Sequence, residues 1–237
     1  FLYRLIKGML QFASIRVVLS IVEQQQILNT YGVTCAVIPN AVEAINEREV
    51  KDFSGPLSLL FMGRIVKAKG IFLLADSLKG LSKYFSEISL KVYGAGPDLE
   101  AFQSELASIP GLNFQYCGIA KGKEKVAALQ DAHIFLLPSL YGEGLPIAML
   151  ESMNYGCVPI VSDDASIGTV VKDGLNGYLV SKGQIDELQS KLIQVFENRN
   201  ELAALSENAT KTIDTTYNLD TYMKTLNALY TNYNPSN

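Results

Sequence analysis

Two glutamates, Glu143 and Glu151, stand with seven residues between them across the stretch Gly144-Leu145-Pro146. A carboxylate accepts hydrogen bonds from sugar hydroxyls, and this spacing lets one reach a hexose while the other reaches the ribose of the same nucleotide. Pro146 reads as the first residue of a helix, where its missing N–H costs nothing and its fixed φ is suitable. Gly156 reads as the residue that ends the helix. Free backbone N–H groups around Gly144 and Leu145 then lie at the positive end of a helix, a ready site for phosphate. Gly144 lets the backbone come close to a ligand. Isolated glutamates are ordinarily solvated; it is this frame that makes the pair candidates.

A second group is Gly63-Arg64-Ile65-Val66-Lys67-Ala68-Lys69-Gly70. Arg64 offers a forked donor and Lys69 a point charge, a combination suited to the two phosphates of a diphosphate. Lys67 reads as a solvated neighbour. A third is Tyr93-Gly94-Ala95-Gly96-Pro97, which partly matches a dinucleotide-binding glycine loop; the third glycine is absent and no acidic residue follows at the spacing of a ribose partner for NAD.

These groups need a scaffold that brings strand-to-helix turns together. Apolar runs at Leu57–Met62, Ser89–Tyr93, Asn113–Cys117, Ile134–Leu137, Val158–Ser162 and Tyr178–Val180 read as buried parallel strands. Helical patterns at Gly70–Phe85, Asp98–Ser108, Lys123–Asp131, Pro146–Tyr155 and Gln184–Asn198 separate most of them. The alternation predicts an α/β fold with a Rossmann-like, doubly wound parallel sheet, which binds ligands beyond the C-terminal ends of its strands. Residues 1–45 depart from the repeat, with a helix-like stretch at Leu2–Phe12 and strands at Arg16–Ser20 and Ala36–Ile38, before a turn at Pro39 and Asn40. Residues 218–237 carry a helix over Leu219–Tyr233 with one apolar face. Both ends read as material that crosses to, or packs on, a neighbouring domain, leaving residues 46–217 as the ligand-binding domain.

The composition suits a folded, non-basic chain. Hydrophobic residues make up 48% and charged residues 19%, the net charge is −4, and the pI is about 5.1. That balance, without a basic stripe, argues against a nucleic-acid partner. Cys35, Cys117 and Cys157 are too few and too far apart for a disulfide framework or zinc site, and read as small buried hydrophobes in a reducing compartment. His133, the only histidine, opens an apolar strand and reads as structural. Asp163 and Asp164 read as caps of the next helix, not as metal ligands. No apolar run reaches the ~18–20 residues of a membrane span. Because the chain opens at Phe1, it reads as a piece of a longer protein.

Together, these motifs resemble the C-terminal, donor-binding domain of the retaining glycosyltransferases of family 4, the group 1 glycosyltransferases with the GT-B fold. YGVTCAVIPNAV is similar to the family's linker into that domain, FMGRIVKAKGI to its basic diphosphate motif, and VYGAGP to its glycine loop. EGLPIAMLE resembles its paired glutamates, and DGLNGYLV a later strand. The resemblance implies transfer of a sugar from a UDP-, GDP- or ADP-sugar with retention of configuration and no metal or further cofactor. Gly63, Arg64, Lys69, Gly94, Gly96, Gly144, Leu145, Pro146 and Glu151 would then surround the donor, and the loop from Gly118 to Lys123 its base. Arg64 and Lys69 would stabilise the leaving diphosphate, Glu143 would contact the sugar near the reacting carbon, and Glu151 would bind the ribose. A saccharide or lipid-linked acceptor is implied, with peripheral membrane contact through a preceding domain and a cytoplasmic site that allows the inner membrane face. A piece without that domain would be poorly active. Where the family often has two glycines followed by Pro-Glu, this sequence has Ala165-Ser166-Ile167-Gly168-Thr169, which leaves the sugar contacts of that loop open. Two alternatives stand beside this reading: a non-catalytic nucleotide-sugar-binding module or subunit, and a nucleotide-sugar epimerase of the same fold, for which no extra acid/base groups are found.

Overall fold

The structure, a computed structural model, describes residues 2–45, 47–164 and 166–231. It opens with helix α1 (Leu2–Phe12), strand β1 (Val17–Val18), helix α2 (Ile21–Tyr31) and strand β2 (Ala36–Val37), which pairs with β1 in parallel. The regular alternation follows: β3 (Leu57–Met62), α3 (Ile71–Lys79), β4 (Ile88–Tyr93), α4 (Leu99–Ala107), β5 (Phe114–Tyr116) and α5 (Gly122–Asp131). It continues as β6 (Ile134–Leu137), α6 (Ile147–Asn154), β7 (Val158–Ser162), α7 (Ile167–Val170), β8 (Tyr178–Val180) and α8 (Ile185–Glu197). Helices α9 (Arg199–Thr215) and α10 (Leu219–Thr231) end the described chain.

Strands β3 to β8 form one six-stranded parallel sheet in the order β5-β4-β3-β6-β7-β8. The chain winds outward from β3 to β5, returns to the centre at β6, and winds outward the other way. The order therefore reverses between β3 and β6, which opens a crevice at the C-terminal ends of those two strands. Every residue of β6 and β7 is buried, and so is every residue of β3 except Ser58. Helices on both faces make these central strands continuous apolar runs, whereas the edge strand β5 has no buried residue.

The six strands expected in the main sheet lie within a residue of the observed ones, whereas the expected Arg16–Ser20 is strand only at Val17–Val18. The helix expected over Gly70–Phe85 stops at Lys79; Gly80 follows and the chain continues as a 3-10 turn over Ser82–Glu87. Glycine interrupts a helix because it has the most backbone freedom to lose. Pro146 is not the first helical residue but the N-cap, with ψ 121° still extended, and Ile147 is the first turn's first member. The N-cap of α7 is Ser166, which makes no side-chain capping bond, while the Asp164 carbonyl accepts the Gly168 N–H at 3.2 Å and its carboxylate pairs with Lys182 at 2.7 Å. Ala165 lies outside the described residues, as do the last two positions of the expected Leu219–Tyr233 helix. Cys35 and Cys157 are buried as expected, but Cys117 is only half-buried.

The termini behave differently from the core. None of the described residues of α1 or α10 is fully buried, and this chain only partly covers the apolar face of α10, leaving Tyr222, Leu226 and Leu229 half-buried. Met9, Phe12, Met223 and Tyr230 stand exposed. Between these ends, the segment leaving β2 meets the segment entering α10. The Val42 N–H donates to the Tyr217 carbonyl at 2.9 Å, and the Leu219 N–H donates back to the Val42 carbonyl at 3.0 Å.

His133 fills the structural place expected of it. Its Nδ1 accepts the Ser58 N–H at 2.9 Å and its ring packs on Phe53, so the folded state needs the neutral imidazole. Burial, helped by the Lys51 charge, lowers its pKa below the ordinary 6.5. As pH falls below that ordinary value, the unfolded chain takes up a proton that the folded ring resists. Stability present above it is therefore lost as pH falls toward the lowered folded pKa. Denaturation midpoints should accordingly fall between about pH 7 and pH 6, and His133→Asn, whose Oδ1 can still accept the Ser58 N–H, should flatten that slope. An unchanged slope in the variant would assign it to other groups.

Candidate functional site

Two loops wall the crevice. The first, residues 63–70, leaves β3; the second, residues 138–146, leaves β6. They are stitched together at their base, where the Leu140 N–H donates to the Ala68 carbonyl at 2.8 Å. Gly70 is required there on two counts: its φ is +69°, and a Cβ would stand 1.8 Å from the Pro138 carbonyl oxygen. Contact this close admits no side chain.

The glycine loop after β4 supports the basic loop. The Gly63 N–H donates to Tyr93 O at 3.0 Å, the Ile65 N–H to Ala95 O at 2.9 Å, and the Lys67 N–H to the Asp98 carboxylate at 2.8 Å. A Cβ on Gly94 would lie 1.8 Å from Gly63 O, and one on Gly96 would lie 2.0 Å from Ile65 O. These two glycines thus let one loop pack against the backbone of another.

Lys69 and Glu143 meet across the crevice. Lys69 Nζ lies 2.5 Å from Glu143 Oε1, and the Ser139 hydroxyl donates to the same oxygen. The Glu143 side chain is only 5% exposed and the Lys69 side chain 22%. An enclosed carboxylate is costly without a counter-charge and hydrogen bonds, and both are supplied here. An ammonium has three N–H donors, so Lys69 keeps others for a ligand. Arg64 is exposed, and its side chain makes no hydrogen bond or ion pair among the described residues. Glu151, on the second turn of α6, pairs with Lys125 from α5 at 2.6 Å. The two glutamates are therefore each matched by a lysine from an adjoining element.

The start of α6 lies between these pairs. Pro146 caps it without any side-chain bond to the first-turn N–H groups, which leaves donors at a positive helix end. The buried Leu145 side chain, with Met149, Leu150 and Met153, anchors the turn in the core. Gly144 faces Leu19, whose Cδ1 would lie 3.0 Å from an added Cβ. The loop after β5 packs on the glycine loop, with the Gly94 N–H donating to Gly118 O at 2.6 Å.

The structure thus brings Gly63, Arg64, Lys69, Gly94, Gly96, Glu143, Gly144, Leu145, Pro146 and Glu151 to one edge of the sheet. Sequence reasoning missed several partners. Lys125, Ser139, Asp98, Leu19 and Asn40 carry no signal in the sequence as ligands or supports. Asn40 Nδ2 donates to Leu145 O at 2.7 Å.

A Rossmann-like sheet with a basic loop and a helix N-terminus at its switch point defines a doubly wound α/β domain. The family is more specific: the profile of "Glycosyl transferases group 1" matches residues 43–212, and the chain belongs to that family. It is 28% identical over 75% of its length to an uncharacterized glycosyltransferase of Methanocaldococcus jannaschii. It is 26% identical over 77% of its length to the phosphatidyl-myo-inositol mannosyltransferase of Mycobacterium leprae. The aligned regions cover 46% and 50% of those two proteins, so the chain spans about half the length of the curated relatives it matches. Among solved structures, Anabaena HepE in complex with UDP and glucose superposes over 97% of this chain and 66% of its own, with TM-score 0.83 and 15% identity. TarM of S. aureus, in complex with Fondaparinux, alpha-GlcNAc-glycerol and UDP, does so over 96% of this chain and 46% of its own, with TM-score 0.82 and 20% identity. At these identities the two structures establish the fold, that of GT-B glycosyltransferases. Among the described residues no helix is long and apolar enough to cross a membrane.

Proposed function

We propose that this chain is the donor-binding part of a glycosyltransferase that moves a sugar from a nucleoside diphosphate sugar to a saccharide or lipid-linked acceptor, with retention of configuration. The observation that carries this reading is the pair of lysine–glutamate contacts, Lys69–Glu143 and Lys125–Glu151, flanking the N-terminus of α6. On this reading, Arg64 and Lys69 hold the diphosphate. As the bond between sugar and diphosphate breaks, negative charge builds on the departing phosphate oxygen. The guanidinium, the ammonium and the N–H groups at the start of α6 oppose that charge from fixed positions. Charge stabilisation of this kind calls for no metal. Glu143, held by Lys69 and Ser139, accepts from the sugar hydroxyls, and Glu151 accepts from the ribose. The mannosyltransferase activity of the Mycobacterium leprae relative and the UDP of the superposed complexes support the same reading.

The domain reading belongs to the same proposal. Residues 46–217 form the donor domain, and residues 1–45 and 218–237 belong with an acceptor-binding domain, against which α1 and α10 turn their exposed apolar residues. A cytoplasmic enzyme working at a membrane's inner face would be consistent with a lipid-linked acceptor.

The test is the melting temperature of the chain with UDP, GDP, ADP, CDP and dTDP, with and without attached sugars. A ligand at 100 times its Kd adds ~2.7 kcal/mol, a rise on the order of 5–10 °C for a chain this long. A rise with one diphosphate supports the reading and identifies the base; no rise with any of them contradicts it. Glu151→Gln should then cost about 1–3 kcal/mol of nucleotide affinity, and a 2′,3′-dideoxy nucleotide should bind variant and wild type alike. If the dideoxy ligand still separates the two, Glu151 does not act through the ribose.

A further inference from the structure

The Leu145 carbonyl sits one residue before the N-cap of α6. It has no helical partner, and the nitrogen that follows it belongs to proline and carries no hydrogen. Its only hydrogen bond among the described residues comes from Asn40 Nδ2 at 2.7 Å. Asn40 lies 105 residues away in sequence, on the segment that leaves β2, whose Ile38 N–H bonds Val18 O. Two residues on, Val42 is bridged to Asn218. The donor loop is thus tied directly to the place where the two terminal segments cross.

The direction of the tie matters. Helix α6 is anchored in the core through Met149, Leu150 and Met153, all fully buried. If the Leu145 carbonyl turned, the helix would stay and the Gly144–Leu145 backbone would swing. Those N–H groups belong to the two residues that directly follow Glu143 in the loop. From the other side, Leu19 of the same early segment packs on Gly144. That segment is fixed in turn by Glu23, which accepts the Leu19 N–H and the Ser166 hydroxyl, both at 2.8 Å.

We propose that Asn40 is a positioning residue. Through the Leu145 carbonyl it sets the direction of the Gly144 and Leu145 N–H groups, and it links that direction to the crossing segment at Ile38–Val42. The inference rests on the donor reading above and adds a residue of the crossing segment to the residues that govern affinity for the phosphates.

Asn40→Asp keeps the shape but replaces the donor with an acceptor facing a carbonyl, and Asn40→Ala removes the group. Calorimetry on the full chain, using the nucleoside diphosphate that stabilises the wild type and the matching nucleoside, reads the effect. The expected loss is about ten-fold for the diphosphate, with the nucleoside within about two-fold, as for one misdirected set of hydrogen bonds. Amide resonances of Gly144 and Leu145 should shift in both variants, while those of Gly94 and Gly118 hold still. Wild-type diphosphate affinity in both variants overturns the inference. So does an equal loss for nucleoside and diphosphate that tracks a fall in melting temperature, which would mark Asn40 as merely structural. A wild type that binds no nucleoside diphosphate overturns the donor reading and the inference together, a result distinct from both.

Discussion

Replacing Arg64 and Lys69 together by alanine is expected to weaken nucleoside diphosphate binding by about a hundred-fold or more, while the nucleoside binds nearly as before. Each charge-assisted hydrogen bond to phosphate is worth ~1.5–3 kcal/mol, so two exceed ~3 kcal/mol, which is a factor above ~100. The two residues should not contribute alike. Arg64 is exposed and unpaired among the described residues, so its removal costs the free protein little and its effect is felt on the ligand. Lys69 is already bonded to Glu143, whose side chain is only 5% exposed. Its removal leaves that carboxylate with the Ser139 hydroxyl alone, and an enclosed charge without a counter-ion is costly. Lys69→Ala should therefore lower the melting temperature and Arg64→Ala should not. Adding Glu143→Gln to Lys69→Ala removes the stranded charge and should restore much of the stability without restoring diphosphate affinity. Calorimetric titration of the variants with diphosphate and nucleoside checks the binding, and melting curves check the rest. Equal losses for the two ligands would show that these side chains do not act on phosphate.

Much of this arrangement was legible in the sequence, for a physical reason that also sets the limit. Strands β3, β6 and β7 are buried on both faces, so their apolar runs stand out unbroken, and their ends locate the turns where Arg64, Lys69 and Glu143 must lie. Residue type and spacing then suggest a diphosphate and a sugar. What could not be read were contacts made between distant parts of the chain. Lys125 meets Glu151 from 26 residues away and Asn40 meets Leu145 from 105 away; neither lysine nor asparagine looks unusual where it stands. Helix α9 escaped for another reason. Its buried face includes Ser206 and Ala209 beside Leu202, Leu205 and Ile213, small residues that let it approach α6, where Ser206 donates to the Gly156 carbonyl at 2.6 Å. Small residues blur the apolar stripe that identifies a helix. The face of α10, in contrast, is legible as apolar from its spacing, but periodicity shows that a face exists and not what lies against it.

The glycine loop shows the same distinction between residue type and cause, and it supports the second large effect. Gly94 and Gly96 suggest a backbone that approaches a ligand, yet the neighbours that exclude a side chain at Gly94 and Gly96 are the carbonyls of Gly63 and Ile65. Gly94→Ala would set a methyl group 1.8 Å from Gly63 O, at a φ of +144° that L-residues rarely adopt. Backbone cannot yield as a side-chain tip can. The conformational and overpacking costs, ~1–3 kcal/mol each, should together lower the melting temperature by about 10 °C. Gly174→Ala is the matched comparison: φ is +71° but nothing lies within 4 Å of the added carbon. It should cost only the ~1–2 kcal/mol of the left-handed conformation. The difference between the two variants isolates the loop-to-loop contact. Gly94→Ala should also lose diphosphate affinity, because relief of the clash moves Gly63 and, with it, the adjoining Arg64. If Gly94→Ala melted like Gly174→Ala and bound diphosphate like the wild type, the glycine loop would not be what holds Arg64 at the crevice.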